Sequence, residues 1–228
     1  MRLAREARAA GPVLEYGAGT GRVTLPMARA GARVTGIDLA RTMLDTHEAR
    51  LEREPPQVRA RVRLVHGDMR SVRLGERFAL VVAPFNVMLH LYTNDDLLEF
   101  LARVGEHLAP GGRFAFDVSV PKGEELSRDP ERRFGAPRFR HPATGVLTRY
   151  TERFEYDPIR QLLLVWMEFL PEGGDPVVVP LTHRQIFPQE LLALLDRAGF
   201  AEVELTSDFS RAPPDASTDS LVVSCQVR

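Results

Sequence analysis

Three glycines alternate with small residues in the stretch VLEYGAGTG (13–21), directly after an apolar pair. Glycine at Gly17, Gly19 and Gly21 lets the backbone turn sharply and approach a ligand closely. A helix starting there offers free N–H groups to an electron-rich part of that ligand. One carboxylate, Glu15, precedes the loop. A second, Asp38, lies 21 residues after Gly17, at the end of the next apolar run. A carboxylate there accepts hydrogen bonds from vicinal ribose hydroxyls, or caps the helix that follows. The chemistry suggested is the binding of a nucleotide-derived cofactor.

Two common versions of such a loop fit less well. A phosphate loop needs GxxxxGK[ST], and no lysine follows these glycines. A dinucleotide fingerprint needs GxGxxG, and Arg22 stands where its last glycine would fall. The nicotinamide reading is weakened but left open.

The loop must be carried by strands and helices, and the hydrophobic pattern supplies them. Strands are predicted at 13–16, 33–38, 62–66, 78–83 and 113–118, with helices at 22–30, 42–54 and 95–108 between them. Pro26 is tolerable only in the first turn of its helix, because proline removes a backbone donor. Strand–helix alternation with short loops predicts an α/β fold of the Rossmann-like, doubly wound kind, with the cofactor crevice at the carboxyl ends of the strands. Residues 120–187 break the pattern. They are rich in proline, charge and aromatics, and predict strands at 149–156, 161–169 and 177–187 in a two-hairpin antiparallel insertion. A helix at 188–198 and strands at 202–206 and 221–227 complete a seven-stranded, mostly parallel sheet with an antiparallel last strand. The expectation is one domain, 1–228, whose insertion serves as a lid or acceptor-side wall.

Taken in order, these segments resemble the class I S-adenosylmethionine-dependent methyltransferases. Glu15 and the three glycines match that family's first motif, and Asp38 its second acidic position. HGDMRSV (66–72), FALVVAPFNVMLHL (78–91), LAPGGRFAFDV (108–118) and FPQELLALLDRAGFAEVEL (187–205) resemble its later segments. The resemblance implies S-adenosylmethionine as cofactor and S-adenosylhomocysteine as product. It places Glu15, Tyr16 and the loop backbone near the methionine moiety and Asp38 on the ribose. Leu39 and Met43 would cover one adenine face, Asp68 would accept from the adenine amino group, and Gly67 and Met69 would border the ring. Ala83, Phe85 and Asn86 would line the site near the reactive methyl. Tyr16 stands where the family more often has an aliphatic residue. Only about a dozen residues precede the first strand, so the insertion or a second subunit is expected to cap the cofactor.

Methyl transfer needs alignment of the acceptor, and a base only if the acceptor is protonated or weakly acidic. His90, after the fourth strand, is the candidate base, with Asn86 beside it. Tyr150, Glu152, His183 and Arg184 are candidates for the acceptor side. The chain reads APFN where methyltransferases of planar amino groups resemble [ND]PP[YF], which argues against such acceptors. The single cysteine, Cys225, lies far from that region, which excludes cytosine-C5 chemistry and also a disulfide framework. A formal net charge of -1 without a basic run argues against nucleic acid. No metal site, transmembrane segment or signal peptide is expected, and the compartment read from these features is the cytoplasm. The acceptor is therefore read as a small molecule carrying an N or O nucleophile, and a homodimer is compatible with the sequence. The competing readings are an NAD(P)-dependent oxidoreductase and a non-catalytic S-adenosylmethionine-binding module.

Overall fold

Val13–Tyr16 (β1) and Phe78–Ala83 (β4) are almost wholly buried. A strand covered on both faces reads as a continuous apolar run, and both do. In a computed structural model, which describes residues 11–141 and 144–228, they are neighbours in a seven-stranded sheet. The other strands are Val34–Asp38 (β2), Val62–His66 (β3), Leu108–Ser119 (β5), Phe200–Ser207 (β10) and Ser220–Val227 (β11). The order is β10-β11-β5-β4-β1-β2-β3. β1 pairs in parallel with β2 and with β4, and β5 pairs in parallel with β4. β11 is antiparallel to both its neighbours. The sequence-based α/β expectation, including the antiparallel last strand, matches this sheet. The strand order reverses between β1 and β4, which places the crevice at their carboxyl ends.

The chain forms two compact units. The first holds the seven-stranded sheet with helices Thr24–Arg29 (α1), Arg41–Leu51 (α2), Pro56–Arg59 (α3), Asn94–His107 (α4) and Pro188–Arg197 (α6). α4 buries the stripe Leu97, Phe100, Leu101 and Val104. Phe100 meets Phe114 of β5, and Phe114 meets Phe116 and Phe200. Fully burying one such ring contributes about 1.5–3 kcal/mol. α1 is shorter than the sequence pattern suggested. It begins after Val23, so Pro26 lies in the first turn, where its missing N–H costs nothing.

The second unit comprises residues 89–93 and 120–187. It contains the short helix Gly123–Leu126 (α5) and a four-stranded antiparallel sheet: Phe134–Arg140 (β6), Leu147–Asp157 (β7), Leu162–Pro171 (β8) and Val177–Arg184 (β9), in sequence order. The expected two-hairpin insertion is thus a meander with one further strand, β6. Phe154, Leu163 and Val165 form its core, joined by Leu126, Phe134, Tyr156, Met167 and Leu181. The Arg128 guanidinium lies over the rings of both Phe134 and Phe154. These contacts place Phe134, Phe154 and Tyr156 in the core of the insertion itself.

Candidate cofactor and active site

The loop after β1 is built from three glycines with positive φ, at +66, +50 and +87° for Gly17, Gly19 and Gly21. A Cβ on Gly17 would stand 2.4 Å from a Val87 methyl, and one on Gly21 would stand 2.6 Å from His47 Nε2. Conformation and space therefore both demand glycine at these two positions. The loop is fastened to β2 twice. The Ala18 N–H donates to the Ile37 carbonyl at 2.9 Å. The Gly19 N–H donates to Asp38 Oδ2 at 2.7 Å. Asp38 Oδ1 accepts from the Ala40 N–H at 2.8 Å. Each Asp38 oxygen keeps a lone pair for a ligand hydroxyl.

Beyond Asp38, Leu39 and Met43 are exposed apolar side chains, 66% and 47% accessible. Large apolar groups left open beside an acceptor pair suit a planar base attached to a ribose. Gly67 joins this edge, its N–H donating to the Asp38 carbonyl at 3.0 Å. Asp68 and Met69 follow, half-buried. Asp68 is already engaged: Arg70 donates to its carboxylate from the backbone N–H at 2.9 Å and from the guanidinium at 2.7 Å. That contact holds the Asp68 carboxyl below the usual carboxylate range, with the Arg70 hydrogen bond as the main cause. An adenine amino group would share the carboxylate with that guanidinium. The residues on this edge fit an adenosine.

Glu15 and Tyr16 lie under the loop. The Glu15 carboxyl is buried and accepts from Thr24 Oγ1 at 2.5 Å, tying β1 to α1. Burial pushes its pKa up to about 8, against the opposing Thr24 hydrogen bond. Tyr16 is fully buried, with its hydroxyl 2.7 Å from His107 Nδ1 and its ring edge-on to Phe100. His107 Nε2 accepts from the Leu74 N–H at 3.1 Å, so its ring proton sits on Nδ1 and points at the phenol oxygen. Both side chains are thus buried in the framework that carries the loop.

At the end of β4, Ala83 is fully buried and supports the site from beneath rather than lining it. Phe85 and Asn86 follow in the left-handed region, at φ 62 and 61°. Non-glycine residues held there cost about 1–3 kcal/mol each and cluster at functional sites. The restraint is Asp117 of β5, which the sequence reading did not single out. Its Oδ1 accepts from the Phe85 N–H at 2.7 Å and its Oδ2 from the Asn86 N–H at 3.2 Å. The Asn86 side chain is fixed by Ser119, whose N–H donates to Asn86 Oδ1 at 2.7 Å. Phe85 stays exposed, and the Arg22 guanidinium lies 4.1 Å from its ring centroid. A carboxylate in the otherwise apolar run FAFDV was the signal available for Asp117.

In the second unit, His90 ends the turn Val87–His90, and its ring meets that of His183 at 5.1 Å, 73° between planes. Burial, and secondarily His90, push the His183 pKa down to about 4. Tyr150 donates to Glu152 and packs on Phe169. The strand register places Tyr150, Glu152 and His183 on one sheet face, but puts Arg184 on the other. Arg184 is buried and donates to Gln161 and to the Gln185 carbonyl. Six residues of register separate the Tyr150 row from the His183 row, about 20 Å at the usual rise per residue. The four acceptor-side candidates therefore do not form one cluster.

A family described as a methyltransferase domain matches residues 13–112. A dTDP-3-amino-3,4,6-trideoxy-alpha-D-glucopyranose N,N-dimethyltransferase of Streptomyces venezuelae is 33% identical over 45% of this chain and 40% of its own. The chain spans about two fifths of the length of such curated relatives. Among solved structures, the CcbJ methyltransferase of Streptomyces caelestis is similar with a TM-score of 0.86 and 29% identity, over 99% of this chain and 89% of that one. The glycopeptide N-methyltransferase MtfA, crystallised with S-adenosyl-L-methionine, is similar with a TM-score of 0.64 and 26% identity, over 99% and 94%. The matched family model and these solved structures are of methyltransferases, whereas the glycine loop and Asp38 alone left the nicotinamide reading open.

Proposed function

We propose that the chain is a class I S-adenosylmethionine-dependent methyltransferase, a reading supported by the methyltransferase-domain match over residues 13–112 and by the likeness to solved methyltransferases, and that it transfers a methyl group from that cofactor to a small-molecule amine or hydroxyl. One observation carries the reading. Asp38 clasps the glycine loop through the Gly19 N–H while exposed Leu39 and Met43 stand beside it. When bound, S-adenosylmethionine supplies a methyl already activated by its sulfonium. The protein's task is then alignment and proton removal. Asp38 holds the ribose hydroxyls, and the glycine loop lets its backbone approach the methionine end closely. Asp117 fixes the backbone of Phe85 and Asn86, which limits where an acceptor rests. His90 takes the proton that an ammonium or hydroxyl acceptor loses, and His183 stands against it. The amino-sugar and glycopeptide N-methyltransferases among its relatives favour an amine acceptor.

Calorimetry with S-adenosylhomocysteine and NADH tests the cofactor, and release of S-adenosylhomocysteine from a panel of amines and phenols tests the transfer. Binding of the homocysteine compound at one site is expected. Tight NADH binding with no such site would overturn the reading. His90→Ala should lower turnover about 100-fold while leaving cofactor affinity unchanged.

A further inference from the structure

A depression of about 390 Å³ lies on the α1–α2 side of the glycine loop, lined by Gly21, Arg22, Arg29, Arg50, Arg53 and Glu54, with Leu25 and Pro26 as its apolar part. Arg29 is bound by Glu54 through two hydrogen bonds, and the Glu54 side chain is only 10% exposed. Arg50 is held differently. Its Nη1 donates to the Thr20 carbonyl at 3.0 Å and to Thr20 Oγ1 at 2.8 Å. Arg22, Arg50 and Arg53 have no carboxylate partner among the described residues. Arg50 and Arg53 therefore bring two positive charges without a carboxylate to one concavity, while Arg22 at its rim is stacked on Phe85, in a chain whose net charge is -1.

We propose that this depression is a binding site for a diphosphate group, separate from the cofactor crevice. A single carboxylate would satisfy one guanidinium and leave the other without a carboxylate. A group with several negative charges and several non-bridging oxygens matches the planar, forked donors of the arginines that line the depression. Two of the four arginines are already held by Glu54 and Thr20, so less conformational freedom is lost on binding. The site abuts the cofactor loop through Gly21 and Thr20. It does not depend on the methyl-transfer reading, because every group that forms it belongs to the glycine loop, α1, α2 or the turn 52–54 that follows α2.

The test is calorimetric titration of inorganic pyrophosphate into the full chain saturated with S-adenosylhomocysteine, at low ionic strength. The expected result is one site per chain, weakened about tenfold or more in Arg50→Gln/Arg53→Gln. Arg33→Gln/Arg211→Gln removes the same charge from exposed positions elsewhere and should leave binding unchanged. Arg53→Gln alone guards against misfolding, since no hydrogen bond within the described structure depends on that side chain; it too should bind more weakly. Absence of binding in the wild type, or equal loss in both double variants, would overturn the proposal. Uridine diphosphate separates the sources. Tighter binding than pyrophosphate supports a nucleotide's phosphates as the ligand, and equal binding supports the free anion. Failure of the wild type to bind S-adenosylhomocysteine would count against the methyltransferase reading and leave the pyrophosphate result to stand by itself.

Discussion

The His90 and His183 rings stand edge to face, 5.1 Å between centroids, joining the turn after β4 to the last strand of the meander. Two imidazoles this close do not both carry a proton without mutual cost, so a charge on His90 adds to burial in disfavouring one on His183.

The pair gives stability a pH signature. The His183 pKa falls from the ordinary 6.5 to about 4 in the folded protein. Between those values the unfolded chain binds a proton that the folded chain refuses, so stability declines as pH drops through this window. Thermal melts at pH values on either side of it should show a lower Tm on the acid side. His183→Phe should flatten that slope; an unchanged slope would assign it to other groups.

Asp117 should matter more than its distance in sequence from the loop suggests. Asp117→Ala removes the acceptor of two backbone N–H groups and leaves Phe85 and Asn86 in left-handed backbone without restraint. A loss of about 2–3 kcal/mol in urea denaturation is expected. With a good acceptor in hand, kcat/KM should fall while S-adenosylhomocysteine affinity changes little. Wild-type kinetics in the variant would show that the turn holds itself.

Glu15 predicts the opposite pH slope. Its pKa rises from 4.5 to about 8 on folding. In that window the folded chain keeps a proton the unfolded chain has lost, so this contribution to stability declines as pH rises. Glu15→Gln mimics the protonated acid. It should melt higher than the wild type above pH 8 and lose the slope. A variant less stable at every pH would indicate that the ionised carboxylate is the form the fold uses.

Tyr16 is placed by the structure in the framework, although the motif position suggested the ligand. Tyr16→Phe removes the hydroxyl that meets His107. The expected cost is about 1–2 kcal/mol, with S-adenosylhomocysteine affinity unchanged. Weakened cofactor binding at full stability would return Tyr16 to the site.

The α/β sheet was legible in the sequence because its strands are strongly apolar and its turns carry glycine and proline. β6 was not. FGAPRFR alternates poorly and contains proline, which a strand accepts at a sheet edge, and its pairing with β7 shifts register between Ala136 and Phe139. At the site, Asp38, Leu39 and Met43 were legible because one short segment carries them. Asp117 was not, because its role exists only once β5 lies beside β4 and brings positions 32 apart into contact. The Tyr16–His107 contact spans 91 positions and was invisible for the same reason. Arg184 was grouped with His183 by adjacency in sequence, yet alternation along β9 sends the two to opposite faces.

The boundary between the two units has a consequence for exchanging parts between related enzymes. Residues 89–93 belong with 120–187, although α4 and β5 intervene in the chain. A graft that transplants 120–187 alone would bring a foreign sheet to the native Leu89–Thr93 strip and part His183 from its own His90. A chimera that carries both segments keeps that pair from a single parent, and recombination points at 88, 94, 119 and 188 are the ones that respect it.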